Sequence, residues 1–160
     1  VVKRFIILLL VLLNIGCDQI SKEAVRNNVI PNDYIPVVSD HLILTNVENK
    51  GAMLGFGQNL PPILKIIFLQ VIPVMVLLVL LYRILRKKDL DKWMIMAFAF
   101  VIGGGIGNLI DRIAHGSVTD FFVIEIGLFK TGIFNMADVS VTTGVLIILF
   151  LSIQSKKLAV

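Results

Sequence analysis

An all-α membrane protein, a bundle of four transmembrane helices with a small extracytoplasmic β-containing segment between helices 1 and 2, is the fold that three features of this sequence predict. Hydrophobic residues make up 57% of the chain against 16% charged, and the mean hydropathy of +0.92 is far above that of water-soluble domains. Four apolar runs are each close to the ~20 residues a helix needs to cross a bilayer core. These runs are continuous, whereas the wall of a barrel would alternate every second residue.

The first run, about 4–22, begins at Lys3 and Arg4 and ends in "LNIGC", which has the look of a lipoprotein leader. Such a leader carries a small or aliphatic residue three before its cysteine, but that position is Asn14, and three more spans follow, so the helix is expected to be retained. The single Cys17 excludes an internal disulfide or a cysteine metal cage and is expected as a small apolar packer. Residues 25–60 form the one sizeable segment outside the spans. Pro31, Asn32, Asp33 and Pro36 punctuate it, and "HLILTNVEN" alternates as a short strand pair would. Too short for a core of its own, this segment must lean on the bundle as a platform over its outer mouth. A glycine loop, "NKGAMLGFGQNLPP", then feeds a second span at 62–82, a cytoplasmic loop at 83–92 and a third span at 93–113. There Gly103 and Gly107 form a G-x-x-x-G pair suited to close helix packing. The "HGSVTDFF" turn leads to a fourth span at 134–153, and the whole of 1–160 reads as a single membrane domain.

Orientation follows from basic residues in short loops. With an even number of spans, Lys3, Arg4, Arg83, Arg86, Lys87, Lys88, Lys92, Lys156 and Lys157 share one side with only Asp89 and Asp91. The other side carries Lys22, Arg26, Lys50, Lys65, Arg112 and Lys130 against Asp18, Glu23, Asp33, Asp40, Glu48, Asp111, Asp120, Glu125 and Asp138. Both termini are therefore expected in the cytoplasm. The net charge of +4 is topological, which argues against nucleic-acid binding.

Ionisable residues at membrane depth cost about 2.5–3.5 kcal/mol each near a helix centre, so they mark function. Asn108, Asp111 and Arg112 share one face of the third span, Asn135 and Asp138 one face of the fourth, and Asp18 and Lys22 lie one turn apart on the first. All fall at the outer ends of their helices, and the turn brings Asp120 to the same level. The inventory limits the chemistry. His41 and His115 lack the H-E-x-x-H spacing of a zinc peptidase, no G-x-S-x-G elbow is present, and Ser21 and Lys22 point in different directions along a helix. Carboxylates remain, and two of them held close together share a proton, so one can act as base on a water while the other polarises a carbonyl. Asp120 and Asp138 are the best pair. Asp111, beside Arg112 and within reach of Lys22, reads as structural, and Asp18 reads as a helix-end ion pair with Lys22. Asn108 and Asn135 either orient the acids and hold a substrate backbone or bond helix to helix. A transporter or channel subunit is the rival class, but its polar residues would run through the full bilayer depth; an assembly factor would leave the clustered acids unexplained.

"DQISK" at 18–22, "NKGA" at 49–52, "GNLIDR" at 107–112, "GSVTDFF" at 116–122 and "FNMAD" at 134–138 resemble, in order, the signature blocks of the lipoprotein signal peptidase family, signal peptidase II. The resemblance covers essentially the whole chain. It implies an aspartic peptidase of the bacterial inner membrane with four spans and both termini in the cytoplasm, whose partners are membrane lipid and a lipid-modified prolipoprotein; a monomer is expected, and the two-carboxylate chemistry calls for no cofactor or metal. That substrate loses its leader after its cysteine has received diacylglyceryl. By the same match Asp120 and Asp138 are the dyad, and Asp18, Lys22, Asn49, Gly51, Asn108, Arg112 and Asn135 support it or contact substrate, with Asp111 counted beside them as a support on its structural reading. The glycine loop departs from the family pattern N-x-G-A-A-F, with Met53 and Leu54 after Ala52.

Overall fold

The computed structural model of the protein describes residues 2–39, 41–87 and 90–157, with side chains of the last helix through Gln154. Of the charges used for orientation, Asp40, Lys88 and Asp89 and the side chains of Lys156 and Lys157 lie outside what is described. Four helices among the described residues are long and apolar enough to cross a membrane: Val2–Asn28, Pro62–Arg86, Lys92–His115 and Met136–Gln154.

Helix α1 (Val2–Asn28) runs six residues past the end expected from its apolar run. The apolar stretch stops, but the helical period does not. Lys22, Val25 and Val29 stay buried on one face while Asn27 donates to Glu23 at 2.9 Å on the other. Cys17 is exposed on the outward face of α1, so the expectation of a packed thiol is corrected. The second span is not one regular helix. α2 (Pro62–Ile66) passes through a π turn (Ile67–Val71) into α3 (Ile72–Arg86). Pro73 explains the widened turn: its ring lacks an N–H and would clash with the carbonyl four residues back. α4 (Lys92–His115) opens on Asp91, whose carboxylate accepts from Trp93 N at 2.8 Å, and closes on Gly116 at φ 74° with its N–H on Arg112 O. α5 (Met136–Lys157) starts two residues later than the apolar pattern suggested.

The largest correction concerns the β structure. β1 (Ile35–Val38) and β2 (Leu42–Asn49) form the expected antiparallel pair, but β2 also pairs with β3 (Val118–Ile126), which hairpins into β4 (Phe129–Lys130). The sheet order is β1-β2-β3-β4. The stretch read as a turn after the third span is therefore a strand, and the sheet draws half its strands from between α4 and α5. Register pairs Val47 with Asp120 and Glu48 with Thr119.

In lipid, helices gain little from burying apolar area against one another, so close backbone approach replaces it. α4 packs on both α1 and α5 through its glycines. A Cβ on Gly103 would sit 2.6 Å from Asn14 Cβ, and Gly104 abuts the Ala137 carbonyl and Ser140. One apolar cluster, Ile7, Val11, Ile84, Ala99 and Ile102, lies at the basic end of the bundle. A second, Val25, Val29 and Phe121, with Leu44, Phe122 and Met136 against it, fixes the sheet to the other end.

Candidate active site

The α5 N-terminus is built by a reciprocal cap. Asn135 Oδ1 accepts from Asp138 N at 3.0 Å while Asp138 Oδ2 accepts from Asn135 N at 3.2 Å, which satisfies two of the amides a helix start leaves unpaired. A third, Ala137 N, is taken by Asp18 Oδ1 from α1 at 2.8 Å. The cap aims Asp138 outward at the mouth of the bundle.

Asp120 comes from the middle of β3. Its Oδ1 accepts from Asn135 Nδ2 at 2.6 Å and its Oδ2 from Asn49 Nδ2 at 2.9 Å. Asn135 therefore touches both acids, through its side chain and its backbone N–H. Asn108 links the same groups, donating to Asp138 Oδ1 at 2.9 Å and accepting from Asn135 Nδ2 at 3.1 Å. Burial pushes the Asp120 carboxyl up to about 6; the hydrogen bonds from Asn49 and Asn135 and the charge of Lys22 pull it down, and the charge of Asp138 adds to the rise.

Behind Asn108 sits a charged unit with no water contact. Asp18, Lys22 and Asp111 are all fully buried. Lys22 Nζ lies 2.7 Å from Asp18 Oδ2, 2.8 Å from Asp111 Oδ2 and 2.8 Å from Asn108 Oδ1, so each of its three protons has an oxygen. Asp111 also pairs with Arg26 at 3.2 Å. Gly107 makes room for this unit, since a Cβ there would stand 2.5 Å from Asp18 Oδ2.

The glycine loop closes the site from the sheet side. Asn49 Oδ1 accepts from Gly51 N at 2.9 Å and Arg112 Nη2 donates to Gly51 O at 3.1 Å. Only glycine fits at 51, because a Cβ would meet Gly55 and Phe56 backbone atoms at 2.6 Å. Leu54, with a left-handed φ of 57°, reaches across to pack where Gly132 has no side chain. Beneath lies a cavity of 890 Å³, lined by Asn49, Asn108, Arg112, Asp120 and Asp138 at its polar end and by Ile133, Phe134, Val139 and Val141 at its apolar end.

The ten residues singled out from the sequence thus meet in two linked groups: Asp120, Asp138, Asn49, Gly51, Asn108, Arg112 and Asn135 around the cavity, and Asp18, Lys22 and Asp111 behind it. Sequence reasoning missed Gln19, which donates to Asp18 Oδ2, Gly107 O and Asp111 Oδ1, and Glu48, Ser117 and Thr119 on the far side of the sheet. Asn135 and Asp138 did carry a readable cap signature, N-x-x-D before an apolar run. Among the described residues no group of three or more His, Cys, Asp or Glu side chains is placed to hold a metal ion.

Four spanning helices, with carboxylates, amides and an arginine gathered at one end, define a multi-pass membrane protein. A family model described as signal peptidase (SPase) II matches residues 10–154, and the chain belongs to that family, a family of membrane proteases. It is 36% identical to the lipoprotein signal peptidase of Moorella thermoacetica over 143 residues, 88% of each chain. The corresponding protein of Syntrophus aciditrophicus is 30% identical over 140 residues (88% of this chain, 87% of the relative), and that of Streptococcus pneumoniae 29% over 154 (96% of each). Two solved bacterial membrane enzymes share the fold. One, at 27% identity, has a TM-score of 0.84 over 94% of this chain and 88% of its own; the other, at 29%, has 0.79 over 90% of each.

Proposed function

We propose that the protein is an aspartic endopeptidase that removes the signal peptide from diacylglyceryl-modified prolipoproteins, cutting before the lipidated cysteine. It acts as a monomer in the bacterial cytoplasmic membrane, both termini inside and the cavity toward the extracytoplasmic face. The observation that carries this reading is the single asparagine, Asn135, bonded to both Asp120 and Asp138 at the head of an apolar-walled cavity.

The chemistry follows from the two environments. Asp120, held near pKa 6 by burial, keeps its proton over the acid side of neutrality and donates it to the scissile carbonyl oxygen. Asp138, at the N-terminal end of α5 and accepting from Asn108, takes a proton from the attacking water. On collapse of the tetrahedral intermediate Asp138 passes its proton to the leaving amine, and Asp120 takes back a proton from the intermediate's hydroxyl, so the new carboxyl forms and the pair regains its starting state. Arg112 and the Gly51 loop hold the peptide backbone, and loop closure excludes bulk water. The cavity wall runs along α5 from Val139 and Val141 to Thr142 and Thr143, which suits an entering leader helix with its acyl chains left in lipid. Basic residues at the far end, with Lys3 bonded to the Lys87 carbonyl at 3.0 Å, support the cytoplasmic assignment of that end.

Purified full-length protein incubated with a diacylglyceryl-modified precursor is expected to release the leader, while the unmodified precursor stays intact. Release from neither, by a folded protein, overturns the reading.

A further inference from the structure

A polar cluster on the face of the sheet opposite the acids has no part in the chemistry above. Thr119 and Glu48 are cross-strand neighbours, each next in sequence to a residue of the site, Asp120 and Asn49. Strand alternation turns Asp120 and Asn49 toward the cavity and Thr119 and Glu48 away from it. There Thr119 Oγ1 donates to Glu48 Oε1 at 2.6 Å, Ser117 Oγ donates to Glu48 Oε2, and Arg26 Nε donates to Thr119 Oγ1 at 2.7 Å. Arg26 also stands 3.8 Å from Glu48 Oε1 and 3.2 Å from Asp111 Oδ1. Thr119 is fully buried. One guanidinium on α1 thus ties the two strands that exchange the Asn49–Asp120 hydrogen bond to the ion-paired unit behind Asn108.

We propose that Arg26, Glu48 and Thr119 form a positioning unit that holds the Asn49–Asp120 hydrogen bond in register, so that the rate of cleavage depends on it while substrate affinity does not. The inference rests on the proposed function. β2 and β3 change register at a bulge between Leu44 and Val47, immediately before the site, where the ladder is locally interrupted. The clamp lies immediately beyond that bulge. A displacement of about 1 Å in a catalytic group costs on the order of a hundredfold in rate, so a partial loosening is costly even though no clamp atom touches substrate.

The readout that separates positioning from plain stability is the pH profile. The Asn49 hydrogen bond holds the Asp120 carboxyl down. Loosening it raises that pKa, Asp120 keeps its proton to higher pH, and the alkaline limb of kcat/KM moves upward. The other charged groups facing Asp120 are Asp138, Arg112 and Lys22, with Lys130 at the cavity rim, and none is altered by the substitutions below.

Full-length Thr119→Val, Thr119→Ser and Glu48→Gln proteins are compared with the parent in detergent on the lipid-modified precursor. Thr119→Val is expected to lower kcat roughly tenfold at unchanged KM and to raise the limb by about half a pH unit; Thr119→Ser restores both. Glu48→Gln, at a side chain 42% exposed, keeps the fold and gives a smaller loss with the same upward limb should the valine protein not accumulate. If kcat and the limb stay at parent values in Thr119→Val, or in Glu48→Gln where valine is not recovered, the positioning role is overturned while the peptidase reading stands. An inert parent overturns both.

Discussion

The protein gathers two pairs of aspartates at one end of the bundle, Asp18 with Asp111, both buried, and Asp120 with Asp138, one buried and one half-buried, and they differ in their partners. Asp18 and Asp111 flank the ammonium of Lys22, which pairs with one oxygen of each, while Arg26 supplies a second cation to Asp111 and Ala137 N and Gln19 donate to the remaining oxygens. Asp120 and Asp138 have only amides between them, from Asn135, Asn108 and Asn49. Amides orient carboxylates without cancelling charge, so the second pair must manage its repulsion with a proton. What separates the pairs is direct contact with a cation: Lys22 touches both members of the first, whereas Arg112 and Lys22 act on the second only through space. An arrangement that looks redundant in sequence, four acids at one end of a bundle, resolves into a rigid half and a reactive half.

The sharpest way to break this comparison is to remove one acid from each pair. Asp138→Asn is expected to lower cleavage of the lipid-modified precursor by roughly a thousandfold or more with little change in thermal unfolding, since asparagine can still cap α5. Asp111→Asn should act the other way, lowering the melting temperature clearly and cleavage only in proportion to folded protein. Next in size, Lys22→Met strands two buried carboxylates and is expected to cost about 3–5 kcal/mol of stability, read by unfolding in detergent. A methionine protein as stable as the parent would show that the rigid half is not held by charge.

A smaller effect comes from pH. The Asp120 carboxyl binds its proton more tightly in the fold, at about 6 against an ordinary 3.8, so its contribution is fully present below 3.8 and is lost as pH rises through 6. The loss reaches up to about 3 kcal/mol. Asp120→Asn cannot ionise, so its melting temperature should gain on the parent's between pH 4 and pH 7 and hold steady above; a constant difference would deny the raised pKa. Smallest of all, chelation is expected to leave the cleavage rate unchanged to within about twofold, because general acid–base work by carboxylates needs no Lewis acid.

The four spans were legible because a bilayer demands long apolar runs and nothing else in a chain of this size produces them. Helix α1 outran its hydropathy because Ser21–Asn28 stays amphipathic after it stops being apolar. β3 was hidden for a different reason: Val118–Ile126 mixes apolar and polar residues on both faces, so no strict alternation marks it, and it pairs with β2 some seventy residues away, a ladder no local signal announces. Which residues would converge was readable from their common depth. How they divide into two groups was not, since that depends on Asp18 turning to the Ala137 amide and Lys22 to Asn108, choices made by packing around Gly107.

The reach of Asp18 to the first turn of α5 spans most of the chain. Until the final helix has entered the bilayer, its partner amide is missing, the asparagine bridge has nothing to join, and Asp138 has no place to stand. A chain with only its first three spans threaded therefore leaves Asp18 without the amide it accepts from, and the asparagine bridge takes shape only once α5 is in place.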